Sequence, residues 1–233
     1  DYSIIKVRDV PIDVATEIFT RINVGGKPLT LFEIMVAKTY DEKQKFDLSE
    51  KFDTLISTLE PLNYETISDA TILQLISLIL ASDCKKQTIL KLGKADFIKT
   101  WDKAIDGFER AVEYIRGTYR IPVSHLLPYN TILVPFGYFF YHHPDKPDAV
   151  QKPLLEDFFW RCSLGGRYSS SVESKLAQDM KRIDLILEGK SPDYDWAVNV
   201  SPEFLSDNGW FNAGRSFVKA ILCLYAYQGP KSF

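Results

Sequence analysis

The chain has 233 residues, 45% of them hydrophobic and 25% charged, with 13% aromatic side chains and a net charge of −3. That length and composition describe a globular protein able to bury a sizeable core, and exclude a disordered or collagen-like chain. A slight acidic excess is the wrong sign for a protein that wraps nucleic acid by itself, because phosphate neutralisation takes Lys and Arg in numbers.

In chain order, Ser3-Ile4-Ile5-Lys6-Val7 is a short β-branched run and the best strand candidate. After Pro11, Val14, Ala15, Ile18, Phe19 and Ile22 recur at helical spacing, and Gly25-Gly26 supplies the helix exit. Thr30 with Glu33 makes a capping box and Leu29 with Ile34 a hydrophobic staple, so a helix restarts there. Asp47 and Glu50 start the next helix, whose stripe is Leu48, Phe52, Leu55, Ile56 and Leu59. Further stripes are Ile72, Leu75, Ile76, Ile79 and Leu80, then Phe97, Trp101, Ile105, Phe108, Val112 and Ile115 in a long helix ending near Gly117.

Residues 132–141 are apolar almost all round, the pattern of a central, buried helix. Leu154, Leu155, Phe158, Phe159 and Cys162 form another face, Val172, Leu176, Met180, Ile183 and Leu187 a further one, and Phe217, Ile221, Leu224 and Tyr225 the last. The pattern predicts a mainly α protein: a multi-helix, bundle-like body with a small N-terminal strand-helix remnant of an α/β domain. Its boundary falls near residues 40–46, dividing a unit 1–42 from an all-helical domain 43–233. The Pro/Gly joints are short enough for interhelical loops.

Cys84, Cys162 and Cys223 are three, dispersed, and without a CxxC pair, which argues against a disulfide framework or a thiolate zinc site and for small buried hydrophobes. No signal peptide and no apolar run of roughly 20 residues is present, so no membrane partner is expected and the cytoplasm is the default. The chain starts at Asp1 without Met and stops just after an apolar helix, which reads as a segment of a larger protein.

The densest chemistry is Ile18-Phe19-Thr20-Arg21-Ile22-Asn23-Val24-Gly25-Gly26-Lys27-Pro28-Leu29. A Gly-rich turn before a helix N-terminus exposes backbone N–H groups that attract anions. Arg21 and Lys27 add charge, and Asn23 offers a donor and an acceptor. The spacing does not make a P-loop, and from the residues alone a helix C-cap followed by a turn is the favoured reading. Arg161, Arg167, Tyr168 and Lys175, with Lys181-Arg182, could form a basic-aromatic patch for phosphate or DNA, or a solvated helix face. His142-His143 has no ligand set around it and suits a helix C-terminus, and His125 reads as a loop or core residue. The acidic pairs Asp193/Asp195 and Glu65/Asp69 read as caps or solvating charges rather than acid/base pairs. No catalytic residue and no metal ligand is assigned.

The Phe19-x-x-x-Asn23 pattern with its Gly26-Lys27-Pro28-Leu29 turn resembles the GmrSD-type restriction enzymes. The stretches around Arg167-Tyr168-Ser169 and from Arg215-Ser216-Phe217 to Phe233 are similar to later regions of that family. The resemblance implies a ParB/sulfiredoxin-like nucleotide-binding domain, a helical region, and an HNH-type nuclease domain acting in phage defence. The family's upstream Asp-Gly-Gln-Gln-Arg motif and its downstream His-rich nuclease motif do not occur in this chain. The expectation is therefore a helical middle region without a cofactor of its own, inactive alone. A nucleoside triphosphate, a divalent metal, DNA and the flanking domains are implied for the parent. Asn23 would contact the nucleotide with Phe19 supporting it, and Arg21 and Lys27 would add charge. The alternative is a non-enzymatic helical interaction or regulatory module.

Overall fold

A computed structural model describes residues 29–229 apart from 209, 211 and 213. The expected strand at residues 3–7 and the helix around Phe19 lie outside the described residues. Those described are mainly helical, with ten α-helices and no strand, only an isolated antiparallel bridge between Asp41 and Phe46.

Helix α1 (Leu31–Thr39) starts where the capping box places it: Glu33 N donates to Thr30 Oγ1 at 3.1 Å and Thr30 N to Glu33 Oε2 at 2.6 Å. Met35 and Thr39 are fully buried, and Lys38 Nζ donates to the Leu90 carbonyl. The turn after α1 is closed by paired backbone hydrogen bonds between Asp41 and Phe46, both 2.9 Å, and Phe46 packs edge-on against Phe97 and Trp101. Residues 31–46, on either side of the predicted domain boundary, thus share the core of the helical body. Asp47 caps α2 (Leu48–Leu59) by accepting from Ser49 N at 2.8 Å and Glu50 N at 3.4 Å. Next come α3 (Asp69–Ala81) and the short α4 (Lys86–Lys91), which the apolar pattern does not announce.

The centre is α5 (Lys94–Thr118) crossed against α6 (Leu133–His142), with α3 and α8 (Val172–Leu187) also on α6. Seven of the ten residues of α6 are buried, as its unbroken apolar run predicts. Close approach depends on two glycines: a Cβ on Gly107 would lie 2.8 Å from Tyr141 N and 2.9 Å from the Gly137 carbonyl oxygen. In α3, Leu73, Ser77 and Leu78 are buried beyond the predicted stripe, because α5, α6 and α8 all pack on it, while Ile79 and Leu80 are only half-buried.

Helix α7 (Gln151–Leu164) packs on α8 and on the final helix α10 (Ser216–Gln228), which follows the short α9 (Pro202–Asn208). Here the predicted face is rotated. Val218, Ala220 and Cys223 point inward, Phe217, Ile221 and Leu224 are half-buried, and Tyr225 is 63% exposed. Contacts on the opposite edge set the angle: Cys223 Sγ donates to the Leu126 carbonyl at 3.3 Å and Tyr227 OH to Glu156 Oε1 at 2.7 Å. Phe217, Ile221 and Leu224 instead line an apolar groove of about 520 Å³ with Leu164, Val200 and Leu205.

Candidate functional site

The most concentrated polar cluster lies where α7 passes into α8. Gly165 and Gly166 end α7, the latter with φ 63°, and a short 3₁₀ turn (Arg167–Ser169) leads into α8. A Cβ on Gly165 would fall 2.6 Å from Trp196 Cδ1, so the indole lies directly against this glycine and donates its Nε1–H to the Arg161 carbonyl at 3.1 Å.

Asp179 of α8, fully buried, is the anchor. Its carboxylate accepts from Arg167 Nε at 3.2 Å and Nη2 at 3.1 Å, from Arg182 Nη1 at 2.8 Å, and from Tyr168 OH at 2.8 Å. Asp195 joins from the following loop, accepting from Arg182 Nη2 at 2.7 Å and Arg167 Nη1 at 3.5 Å. The Arg167 guanidinium stacks over the Trp196 ring at 4.2 Å and that of Arg161 over Tyr194 at 4.7 Å. Two arginines against two carboxylates, faced by aromatic rings, hold the loop after α8 to the α7–α8 turn. Burial and the neighbouring Asp179 carboxylate keep the Tyr168 phenol protonated, well above its ordinary range.

Of the proposed phosphate contacts, Arg161, Arg167 and Tyr168 come together, but Arg167 and Tyr168 are 5% and 4% exposed and turned to Asp179. Arg167 also donates to Gln178 Oε1 at 2.8 Å, so its donors are engaged within the fold. Arg161 remains half-exposed beside Asp157 at 2.8 Å, and Lys175 donates to Ser170 Oγ at 3.5 Å. Asn23, Phe19, Arg21 and Lys27 lie outside the described residues.

The three cysteines are buried free thiols. Burial pushes Cys84 up to about 12, Cys223 to about 11 and Cys162 well above its ordinary range, so none is a poised nucleophile. His142 ends α6 between the Tyr138 and Tyr141 rings, and its partial desolvation lowers its basicity. Among the described residues no group of three or more His, Cys, Asp or Glu could hold a metal ion, and no helix is long and apolar enough to cross a membrane.

No family model and no solved structure matches the chain. Among curated proteins it is similar to an uncharacterized protein of Methanocaldococcus jannaschii, 24% identical over 200 residues, which are 80% of this chain and 33% of that protein. The chain spans about a third of the length of this relative.

Sequence reasoning passes over Asp179 and Trp196, and reads Arg182 as part of a phosphate patch where the fold pairs it with Asp179 and Asp195. A signal for Asp179 was present, since it lies three residues after Leu176 and four before Ile183, on the face that α8 buries. A carboxylate on an apolar face must find a cation. Asp195 reads as a solvating charge in sequence and is an ion-pair partner in the fold.

Proposed function

We propose that this chain is the helical middle region of a GmrSD-type, nucleotide-dependent DNA restriction protein. Its Phe19–Leu29 motif would complete part of a nucleotide site, and its helices would connect that site mechanically to a nuclease region. The observation that supports this is the seating of α1. The helix begins at Leu31, two residues after the motif ends, and its Met35 and Thr39 are fully buried among α2, α3, α4 and α5. A displacement at the motif is then carried into a packed body rather than absorbed by a loose linker. The nucleoside triphosphate and divalent metal belong, on this reading, to the upstream region together with Asn23 and Phe19. DNA contact falls to other parts of the whole protein, in keeping with a net charge of −3 and an Arg167 already engaged.

The test compares the intact protein, carrying its flanking sequence, with this chain alone. Nucleotide hydrolysis and nucleotide-dependent DNA cleavage are expected from the intact protein and neither from the chain. Cleavage by the chain alone would overturn the proposal. An intact protein inert toward both nucleotide and DNA would favour the second reading, a helical interaction module, for which the apolar groove beside α10 speaks.

A further inference from the structure

A cleft of about 380 Å³, adjoining the apolar groove at Leu164 and Phe217, opens between the end of α7 and helices α9 and α10. Its volume is at the lower end of ordinary ligand pockets, about 300–1,000 Å³. Ser163 lines it, only 1% exposed, and its hydroxyl has no hydrogen-bond partner. A helical serine commonly returns its proton to the carbonyl one turn back, and a buried hydroxyl that does not is costly. At the rim, the exposed Arg215 donates Nη1 to the Asn208 carbonyl at 3.1 Å, and no ion pair among the described residues engages it.

Two carboxamides add partly used capacity. Asn208 Nδ2 donates to the Phe204 carbonyl at 3.0 Å, leaving its oxygen, and Asn199 Oδ1 accepts from Ser201 N at 3.0 Å, leaving its NH₂. Phe204 and Phe217, edge to face at 5.2 Å, supply flat apolar walls. A guanidinium at the mouth selects an anion, aromatic walls select a flat ring, and a hydroxyl with two amides offers both donors and acceptors to that ring's polar edge.

We propose that this cleft binds a small aromatic anion, a flat ring bearing one phosphate or carboxylate, with Arg215 taking the anionic group and Ser163 the ring's polar edge. The inference is independent of the proposed role in restriction, since the Phe19–Leu29 motif has no part in it.

Calorimetric titration of the whole chain with two probe sets tests it: nucleoside 5′-monophosphates and the aromatic carboxylates indole-3-acetate and anthranilate. Saturable binding of either set at one site supports the proposal, and which set binds separates phosphate from carboxylate. Arg215→Met should weaken that binding about tenfold or more, with Arg215→Lys retaining part of it. Ser163→Ala should weaken it severalfold while the melting temperature holds or rises, because the variant removes an unpartnered buried hydroxyl. Binding of neither set, or binding indifferent to both positions, would overturn the proposal. So would Ser163→Ala that lowers the melting temperature and leaves binding unchanged.

Discussion

Asp179→Ala is expected to destabilise the protein by about 3–5 kcal/mol, the usual consequence of leaving a buried charge without its partner. The Arg167 side chain is 4% exposed and would lose both bonds to the carboxylate, while Tyr168 OH and Arg182 Nη1 would lose their shared acceptor. Asp195 cannot take over, being 60% exposed and 3.5 Å from Arg167. Urea unfolding measures the loss directly. Adding Arg167→Met should recover part of it, because the stranded charge rather than the missing pair causes most of the cost. A loss below about 1 kcal/mol from Asp179→Ala would mean that the cluster behaves like a surface ion pair.

The second large effect is opposite in sign to what helix propensity suggests. Alanine in place of glycine favours a helix interior by about 1 kcal/mol. At Gly107 that gain meets backbone atoms of α6 at 2.8 and 2.9 Å, which cannot rotate away as a side chain could. Relieving such overpacking typically costs about 1–3 kcal/mol, so Gly107→Ala should be destabilising by up to about 2 kcal/mol net. Gly117, in the last turn of the same helix, has no atom within 4 Å of its built Cβ. Gly117→Ala should therefore be neutral or stabilising by up to about 1 kcal/mol. Thermal unfolding of the two variants side by side checks the contrast, and equal shifts would remove the close crossing of α5 and α6 from the account.

What could be read in the sequence follows the strength of local rules. The Thr30/Glu33 capping box, the Asp47 cap and the α5 stripe from Phe97 to Ile115 each rest on spacing within one helix, and each stands in the fold. Burial of α6 was legible because its apolar run leaves no polar face. What was not legible depends on neighbours distant in sequence. The rotation of α10 is set by Leu126 and Glu156, and the closeness of α5 to α6 by Gly107 against Gly137 and Tyr141. The basic-aromatic reading named Arg167, Tyr168 and Arg182, three members of a real cluster. Without Asp179 and Trp196, nothing local indicated that they face inward. Ser163 gave no signal at all, as a small residue on an apolar helix face looks like filler until its hydroxyl is seen to lack a partner.

The role assigned to the Phe19–Leu29 motif turns on Asn23. A hydrogen bond from its carboxamide to a bound nucleotide would be worth on the order of 1 kcal/mol net, about fivefold in affinity, and more if the acceptor is charged. An asparagine at a helix exit followed by Gly25-Gly26, as the sequence pattern reads, would contribute little to stability by comparison. The deciding measurement is nucleotide turnover and melting temperature determined together on Asn23→Ala in the intact protein. The account predicts turnover or nucleotide affinity reduced about fivefold or more with the melting temperature unchanged. Unchanged turnover with a lowered melting temperature would contradict it and leave Asn23 as a helix cap.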